Sequence, residues 1–261
     1  MDPPTDRSGD HLSPNTPPAG SSDVELTLIV PVYNEAENFP RLVTEIERHV
    51  PSPFRVLVVY DFEEDTTLPV ARRLAADRPW LRLVRNDIGR GAANAIRAGF
   101  QEAPAGPALV VMADLSDDLA TIPPMLELYR QGYRIVCPSR YMPGGRQIGG
   151  PRLKRMLSRT AGWSLHALVG FPTHDATNNF RLYDAELVRE LGIESTAGFE
   201  IALELTAKAF ARGVPITETP TTWHDRTAGE ARFKLFQWLP GYLRWYGHAL
   251  TAGLGRRKKR S

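Results

Sequence analysis

Carboxylates follow an apolar run in VVMADLSDDL, residues 110–119: Asp114, Asp117 and Asp118. A buried strand that hands acids to a loop can hold a divalent cation against a substrate phosphate. Magnesium is commonly bound through one or two carboxylates, with phosphate oxygens and water completing its octahedron. The position two before Asp114 is Met112, and a thioether is a poor ligand for a hard cation. Met112 continues the run Leu109-Val110-Val111. It therefore reads as a core residue at a strand end, a place its flexible side chain suits. The pattern leaves Asp114 as the one strand-end acid, with Asp117 or Asp118 adding a second oxygen directly or through water. The alternative is that these acids cap a helix beginning at Leu119.

Other reactive residue types fit chemistry less well. His174-Asp175 and His224-Asp225 look like pairs used by metal phosphohydrolases. That chemistry needs further His and Asp ligands at set positions, and none is seen. The single cysteine, Cys137, lies in YRIVCPSRY and reads as a core filler rather than a catalytic thiol. One cysteine allows no disulfide framework and suits a reducing compartment.

The elements that must position these residues alternate. LTLIVPVY, RVLVVYD, LRLVRN, ALVVMAD and YRIVCPSRY read as strands. Between them, EAENFPRLVTEIERHV, TTLPVARRLAADRP, GRGAANAIRAGFQEA and LATIPPMLELYRQG read as helices. Phe39, Leu42, Val43, Ile46 and Val50 fall on one face of the first helix. Such βαβ units predict an α/β fold with a mostly parallel sheet and helices on both faces. Ligands on such sheets bind at the carboxyl ends of the strands. Beyond Arg140 the alternation stops. MPGGRQIGGP reads as a glycine-rich loop, RLKRMLSRTAGWSLHALVG and GFEIALELTAKAFARG as helices, and VPITETPTTW as a short strand. LFQWLPGYLRWYGHAL is aromatic, and Pro240 and Gly241 weaken a continuous helix there.

The chain has 261 residues, is 42% hydrophobic and carries a formal charge of +2, as expected for one large domain with tails. The balanced charge speaks against a nucleic-acid binder; the basic excess is local, in GRRKKRS. No stretch reaches the ~18 continuous apolar residues of a transmembrane helix, and no signal-peptide core is seen. Residues 1–23, rich in Pro, Ser, Gly and Asp, are expected to be disordered. A domain over 24–234 and an aromatic, basic-tailed segment over 235–261 follow. The dinucleotide signature G-x-G-x-x-G is absent after the first strand, where PVYNEAEN stands. GRGAAN has Asn94 where a third glycine would be, and no G-x-x-x-x-G-K-[ST] loop exists.

VPVYNEAENF, YDFEEDTT, GRGAANAIRAG and MADLSD, in that order, resemble the motifs of glycosyltransferase family 2. That family has a GT-A fold, a Rossmann-like single catalytic domain that binds a nucleotide-sugar. SRYMPGG, LKRMLSR, DATNNFRLY and DRTAGEARFK resemble its polyprenyl-phosphate branch, the dolichol-phosphate mannosyltransferase type. The likeness covers roughly residues 26–234. Departures are Tyr60 for the first Asp of the second-strand pair, Thr66 for a glycine, Met112 for the first Asp of D-x-D, Ser116 for a Gln of some relatives, and Lys154 for an Arg.

The resemblance assigns roles. Pro31, Tyr33, Glu35, Asp61, Gly89 and Gly91 would contact the nucleotide. Asp114, with Asp117, would hold Mg2+ or Mn2+ on the diphosphate. The alternatives are a turn cap for Asp61 and a plain helix entry for the two glycines, while a first-turn acid at Glu35 is compatible with its contacting the nucleotide. Asp65 reads either as a site residue or as an N-cap. Arg140, Lys154, Arg226, Arg232 and Lys234 are the phosphate candidates, since an Arg fork suits phosphate oxygens; each has a solvated surface cation as its alternative. DRTAGEARFK looks like a lid over the diphosphate. Asp175 belongs to the acceptor side and is the base to name if the acceptor is a hydroxyl. Glu204 is either buried nearby or a helix-surface acid.

The implied reaction moves a sugar from a GDP- or UDP-linked donor to a polyprenyl (dolichyl or undecaprenyl) phosphate, with inversion. Asp114, Asp175 and Arg140 would be its catalytic residues. Two alternatives stand beside it: a family 2 transferase with a saccharide or other small acceptor, and a degenerate nucleotide-sugar binding module, motivated by Tyr60 and Met112. A lipid acceptor implies a cytoplasmic protein on the inner face of the membrane. Aromatics followed by RRKKR suit an interfacial helix on an anionic leaflet, or an ordinary core helix with a solubilising tail. No oligomeric state follows from the sequence.

Overall fold

The computed structural model describes residues 26–196, 198–225 and 235–260. Residues 1–23 and the candidates Arg226, Arg232 and Lys234 lie outside the described residues. The first half runs β1 (Leu26–Pro31), α1 (Phe39–His49), β2 (Phe54–Tyr60), α2 (Thr67–Ala75), β3 (Leu81–Arg85), α3 (Ala92–Glu102), β4 (Pro107–Val110), α4 (Ile122–Arg130) and β5 (Ile135–Ser139). The second half runs β6 (Arg146–Ile148), α5 (Arg152–Val169), β7 (Arg181–Asp184), α6 (Ala185–Leu191), α7 (Ile201–Arg212), β8 (Ile216–Pro220), β9 (Thr222–His224) and α8 (Leu235–Arg260).

Seven strands form one sheet in the order β3-β2-β1-β4-β7-β5-β8. All neighbours are parallel except β7, which is antiparallel to β4 and to β5. All six residues of β1 are buried, as an apolar run covered on both faces should be. Alternation divides them: Leu28 and Val30 pack under Phe39, Leu42 and Leu68 of α1 and α2. Ile29 packs under Ile96 and Phe100 of α3, in a layer that also holds Leu205 of α7. Prolines at the starts of α1 and α4 sit where their missing N–H leaves no helix bond unmade.

Three features differ from the expectation. The strand β7 is only four residues long and opens with a fully buried arginine, so no periodicity marks it. The glycine-rich loop contains β6, which pairs with β9 in a second, two-stranded sheet. Third, α8 runs unbroken through Pro240 and Gly241. Gly241 lies against Glu200, where a Cβ would come 3.1 Å from the Glu200 Cγ, so the glycine lets α8 close on the start of α7. The aromatic segment is therefore part of the fold. Trp245 and Ala249 are buried among Leu165, Val169 and Phe210, with Tyr242 and Tyr246 packed alongside.

Met112 is also not where the run of apolar residues puts it. The strand ends at Val110, and Met112 is half-buried, lining an open cavity with Arg41, Leu42, Asp117 and His224. Its contribution is its backbone: the Met112 N–H donates to Asp117 Oδ2 at 3.1 Å.

Candidate active site

The carboxyl ends of β1, β2, β3 and β4 adjoin, and the loops leaving them interlock. Buried Asp65 does most of this. Its oxygens accept from the Asn34 N–H at 3.1 Å and from the Thr67 N–H at 2.8 Å. Asn34 holds a left-handed backbone, φ 55°, which asparagine tolerates, and its side chain accepts from the Thr66 N–H. The Glu35 N–H donates to Thr67 Oγ1 at 2.8 Å. Asp65 thus joins the β1 and β2 loops. Glu35 takes up Asn38 through a 2.7 Å bond to Oε2.

Asp61 closes the next pair of loops. Its Oδ1 accepts from Asn86 Nδ2 and its Oδ2 from the Gly91 N–H, both at 2.7 Å. Asn86 Nδ2 also reaches the Gly89 carbonyl at 2.6 Å. The structure so brings Asp61, Gly89 and Gly91 together, with Asn86, which the sequence reading did not single out, as the link. Gly91, at φ +115°, precedes α3, a conformation side-chain-bearing residues rarely adopt. Tyr33 stands exposed at the lip, edge-on to Phe62 at 5.4 Å, and the Arg90 guanidinium lies 5.4 Å from the same ring. Pro31 ends β1 and is buried.

Tyr60, one of the departures from the family pattern noted in the sequence, belongs to the apolar layer under α1 and α2. Its hydroxyl donates to Glu63 at 3.0 Å, and Glu63 pairs with Arg72 at 2.7 Å. Burial, then the bond to Glu63, raises the Tyr60 pKa.

Asp114 is buried and accepts from the Ser116 N–H at 3.1 Å. Burial, reinforced by the charge of Asp114, pushes the Asp117 carboxyl up to about 8. Two acids held this close disfavour joint ionisation, and a cation between them removes that cost. The donor set is hard oxygen, which suits magnesium or manganese. No group of three or more His, Cys, Asp or Glu among the described residues is arranged to hold a metal by itself. Such a cation would therefore draw further ligands from substrate phosphate and water. Asp118 is occupied differently: it caps the short turn Leu119–Thr121 by accepting from the Ala120 N–H. The β9 strand lies over this loop, with the His224 N–H on the Ser116 carbonyl at 3.0 Å.

At the end of β5 the nominated catalytic pair is one unit. Asp175 is fully buried, and Arg140 binds it through Nε at 2.6 Å, Nη2 at 2.9 Å and its own N–H at 3.1 Å. Burial raises the carboxyl of Asp175, but the charge and bonds of Arg140 outweigh this and hold it below the usual range. Arg140 also reaches Ser158 Oγ and Thr177 Oγ1 at 3.4 and 3.3 Å, and lies 5.0 Å from the Tyr141 ring. Lys154 is exposed on α5 one turn before Ser158, on the same side of the helix.

Behind Asp175, Arg181 is fully buried, and no carboxylate among the described residues pairs with it. It donates to the carbonyls of Ala202 and Asp175 at 2.9 and 2.7 Å and to Thr206 Oγ1 at 2.5 Å. Glu204, buried, accepts from the N–H groups of Glu194 and Ser195 and from Lys208, so it holds a loop. His174 Nδ1 is bonded to Glu218 Oε1 at 2.5 Å. Asp225 accepts from the Gly150 N–H. The two His-Asp pairs thus serve local structure.

A mostly parallel sheet with an antiparallel strand before its last pair, and an acid loop after β4, define an α/β protein of the GT-A type. The chain belongs to glycosyl transferase family 2, whose family model matches residues 27–192. It is therefore a glycosyltransferase. It is 29% identical over 238 residues to a polyprenol monophosphomannose synthase of Mycolicibacterium smegmatis, covering 85% of this chain and 89% of that one. It is 28% identical over 209 residues to an undecaprenyl-phosphate mannosyltransferase of Micrococcus luteus, covering 78% and 85%. Among solved structures it resembles a mannosyltransferase from Pyrobaculum calidifontis in complex with GDP-Man and Mn2+. The TM-score is 0.60 at 18% identity, covering 87% of this chain and 64% of that one.

Proposed function

We propose that this chain transfers a hexose from a GDP- or UDP-linked donor to a polyprenyl phosphate, with inversion at the anomeric carbon. The observation that carries the choice of acceptor is the state of Asp175. A hydroxyl acceptor needs a base, and the acid nominated for it is buried, fully bonded by Arg140 and held below the usual carboxylate range. A phosphate monoester has its second pKa near ~6, so it is already an anion and attacks without a base. The names of the relatives point the same way and make mannose the sugar to try first.

In this reading the residues position and neutralise. Asp61, Asn86, Gly89 and Gly91 form the nucleotide side, with Tyr33 and Phe62 at its lip and Pro31 and Glu35 beneath. Asp114 and Asp117 would hold Mg2+ or Mn2+, which neutralises the departing diphosphate. Arg140, kept in place by Asp175, faces the acceptor phosphate together with Lys154. Arg226, Arg232 and Lys234 complete the phosphate set; they follow Asp225, where the described chain runs beside the Asp117 loop. The protein would work at the inner face of the cytoplasmic membrane. Incubating the purified chain with GDP-mannose or UDP-glucose, a polyprenyl phosphate and manganese tests this. Product with the lipid phosphate and none with saccharides is expected; transfer to a saccharide alone would overturn it.

A further inference from the structure

Among the described residues, Glu200 Oε2 and Asn179 Oδ1 are the buried side-chain oxygens with no hydrogen-bond partner. Glu200 as a whole is only 3% exposed. The two oxygens belong to one wall, because Asn179 Nδ2 donates to the carbonyl of Phe199, the residue before Glu200, at 3.0 Å. Glu200 stands at the head of α7, where an acid can cap the helix. Its side chain makes no cap bond. It turns instead to α8, where a Cβ on Gly241 would come 3.1 Å from Glu200 Cγ and 3.2 Å from its Oε1. The fold thus buries a carboxylate and gives one of its oxygens nothing to bind. Such an arrangement costs stability, and it calls for a partner from outside the chain.

The wall adjoins the acceptor end of the site. Asp175 and Thr177 bond Arg140. Asn178 Nδ2, next along, donates to the Pro138 carbonyl at 3.1 Å, and Asn179 reaches Phe199. One short stretch therefore holds both Arg140 and the loop of Glu200. Tyr242 of α8 stands between them: burial, then the charge of Glu200, raises its hydroxyl, and the charges of Arg140 and Asp175 reach it as well.

Both orphan atoms are acceptors, so the wall lacks donors. A diphosphate or a phosphate dianion brings further acceptors, and a prenyl chain brings neither kind. Hexose hydroxyls bring O–H donors. A hexose that passes from a diphosphate at Asp114 to a phosphate at Arg140 has to lie beside Arg140, where this wall begins. We propose that Glu200, together with Asn179 Oδ1, binds hydroxyls of the transferred hexose and so selects the sugar. The assignment rests on the hexosyltransferase reading for its donor, and it takes nothing from the choice of acceptor.

The test is calorimetric titration of the full chain, with manganese, by GDP-mannose and GDP and by UDP-glucose and UDP. Wild type should bind one nucleotide-sugar more tightly than its bare nucleotide. Glu200→Gln keeps the volume and removes the charge. Its affinity for that nucleotide-sugar should fall at least ~10-fold, the worth of one charge-assisted bond, while the bare nucleotide stays within ~2-fold. The variant should melt at or above wild type, because the free chain gives Oε2 no partner to lose. Among donors lacking one hydroxyl each, at least one should bind wild type and variant alike. An equal loss for nucleotide and nucleotide-sugar, an unchanged affinity for both, or a tenfold gap that persists with every deoxy donor overturns the assignment. So does a variant that melts below wild type without a selective loss of the sugar. Binding needs no acceptor, so transfer to a saccharide but not to prenyl phosphate would sink the acceptor reading and leave Glu200 in place. A wild type that binds neither donor would sink both.

Discussion

Removing Asp175 should destabilise the protein far more than removing an ordinary surface acid. Asp175→Ala takes away the acceptor of three Arg140 donors, Nε, Nη2 and the backbone N–H. The Arg140 side chain is only 9% exposed, so its charge is left with little water to turn to. Breaking a buried pair by deleting one partner costs about 3–5 kcal/mol. At about 2–4 °C per kcal/mol for a domain of this size, the melting temperature should fall by about 6–20 °C. Replacing both partners by apolar residues, Arg140→Met with Asp175→Leu, should recover most of that loss, because no orphan charge remains. The sign with pH is also fixed. A carboxyl held below its unfolded pKa stabilises above about 3.9 and loses that effect as pH falls through its folded value. The gap between wild type and Asp175→Ala should thus close below about pH 4. Calorimetry on the purified proteins at pH 7 and in the acid range reads all of this. An Asp175→Ala melting point within about 2 °C of wild type would refute the argument.

Asp114→Ala should lower turnover by at least about 100-fold, and EDTA should do the same to wild type. Full activity in EDTA would remove the metal role. Manganese should bind the free chain weakly and the nucleotide complex much more tightly, because the protein supplies only part of the coordination; calorimetric titration with and without nucleotide decides it. An acid raised to about 8 contributes stability below its unfolded pKa and loses it as pH rises through 8. Metal-free wild type should therefore lose melting temperature relative to Asp117→Asn between pH 5 and 9, and parallel profiles would contradict the raised carboxyl. Arg226→Ala and Lys234→Ala should reduce turnover more than melting temperature; wild-type kinetics in both would make them surface charges.

The alternation of apolar runs and amphipathic helices from Leu26 to Ser139 was enough to read the parallel sheet and the edge that carries the candidate site. This worked because strands covered on both faces must be continuously apolar, as β1 and β2 are. Asp61 and Asp114 could be singled out for the same reason: a carboxylate at the end of such a strand has few roles. Other features depend on partners distant in sequence. The strand β7 carries Arg181, which looks like a surface residue until the Ala202 and Asp175 carbonyls and Thr206 surround it. Asp175 and Arg140 were each named, yet 35 residues separate them, and only β5 beside β7 makes them one buried pair. Asn86 has no local signature, and Met112 carried the composition of a strand but sits past its end. The aromatic helix read either as a membrane-surface helix or as a core helix; its Trp245, Tyr242 and Tyr246 pack inward, while α5 exposes Leu153, Leu157 and Leu168. Periodicity reports that a helix has an apolar face. Which of two such faces the fold covers depends on which one finds a neighbour, and that is decided only when the chain closes.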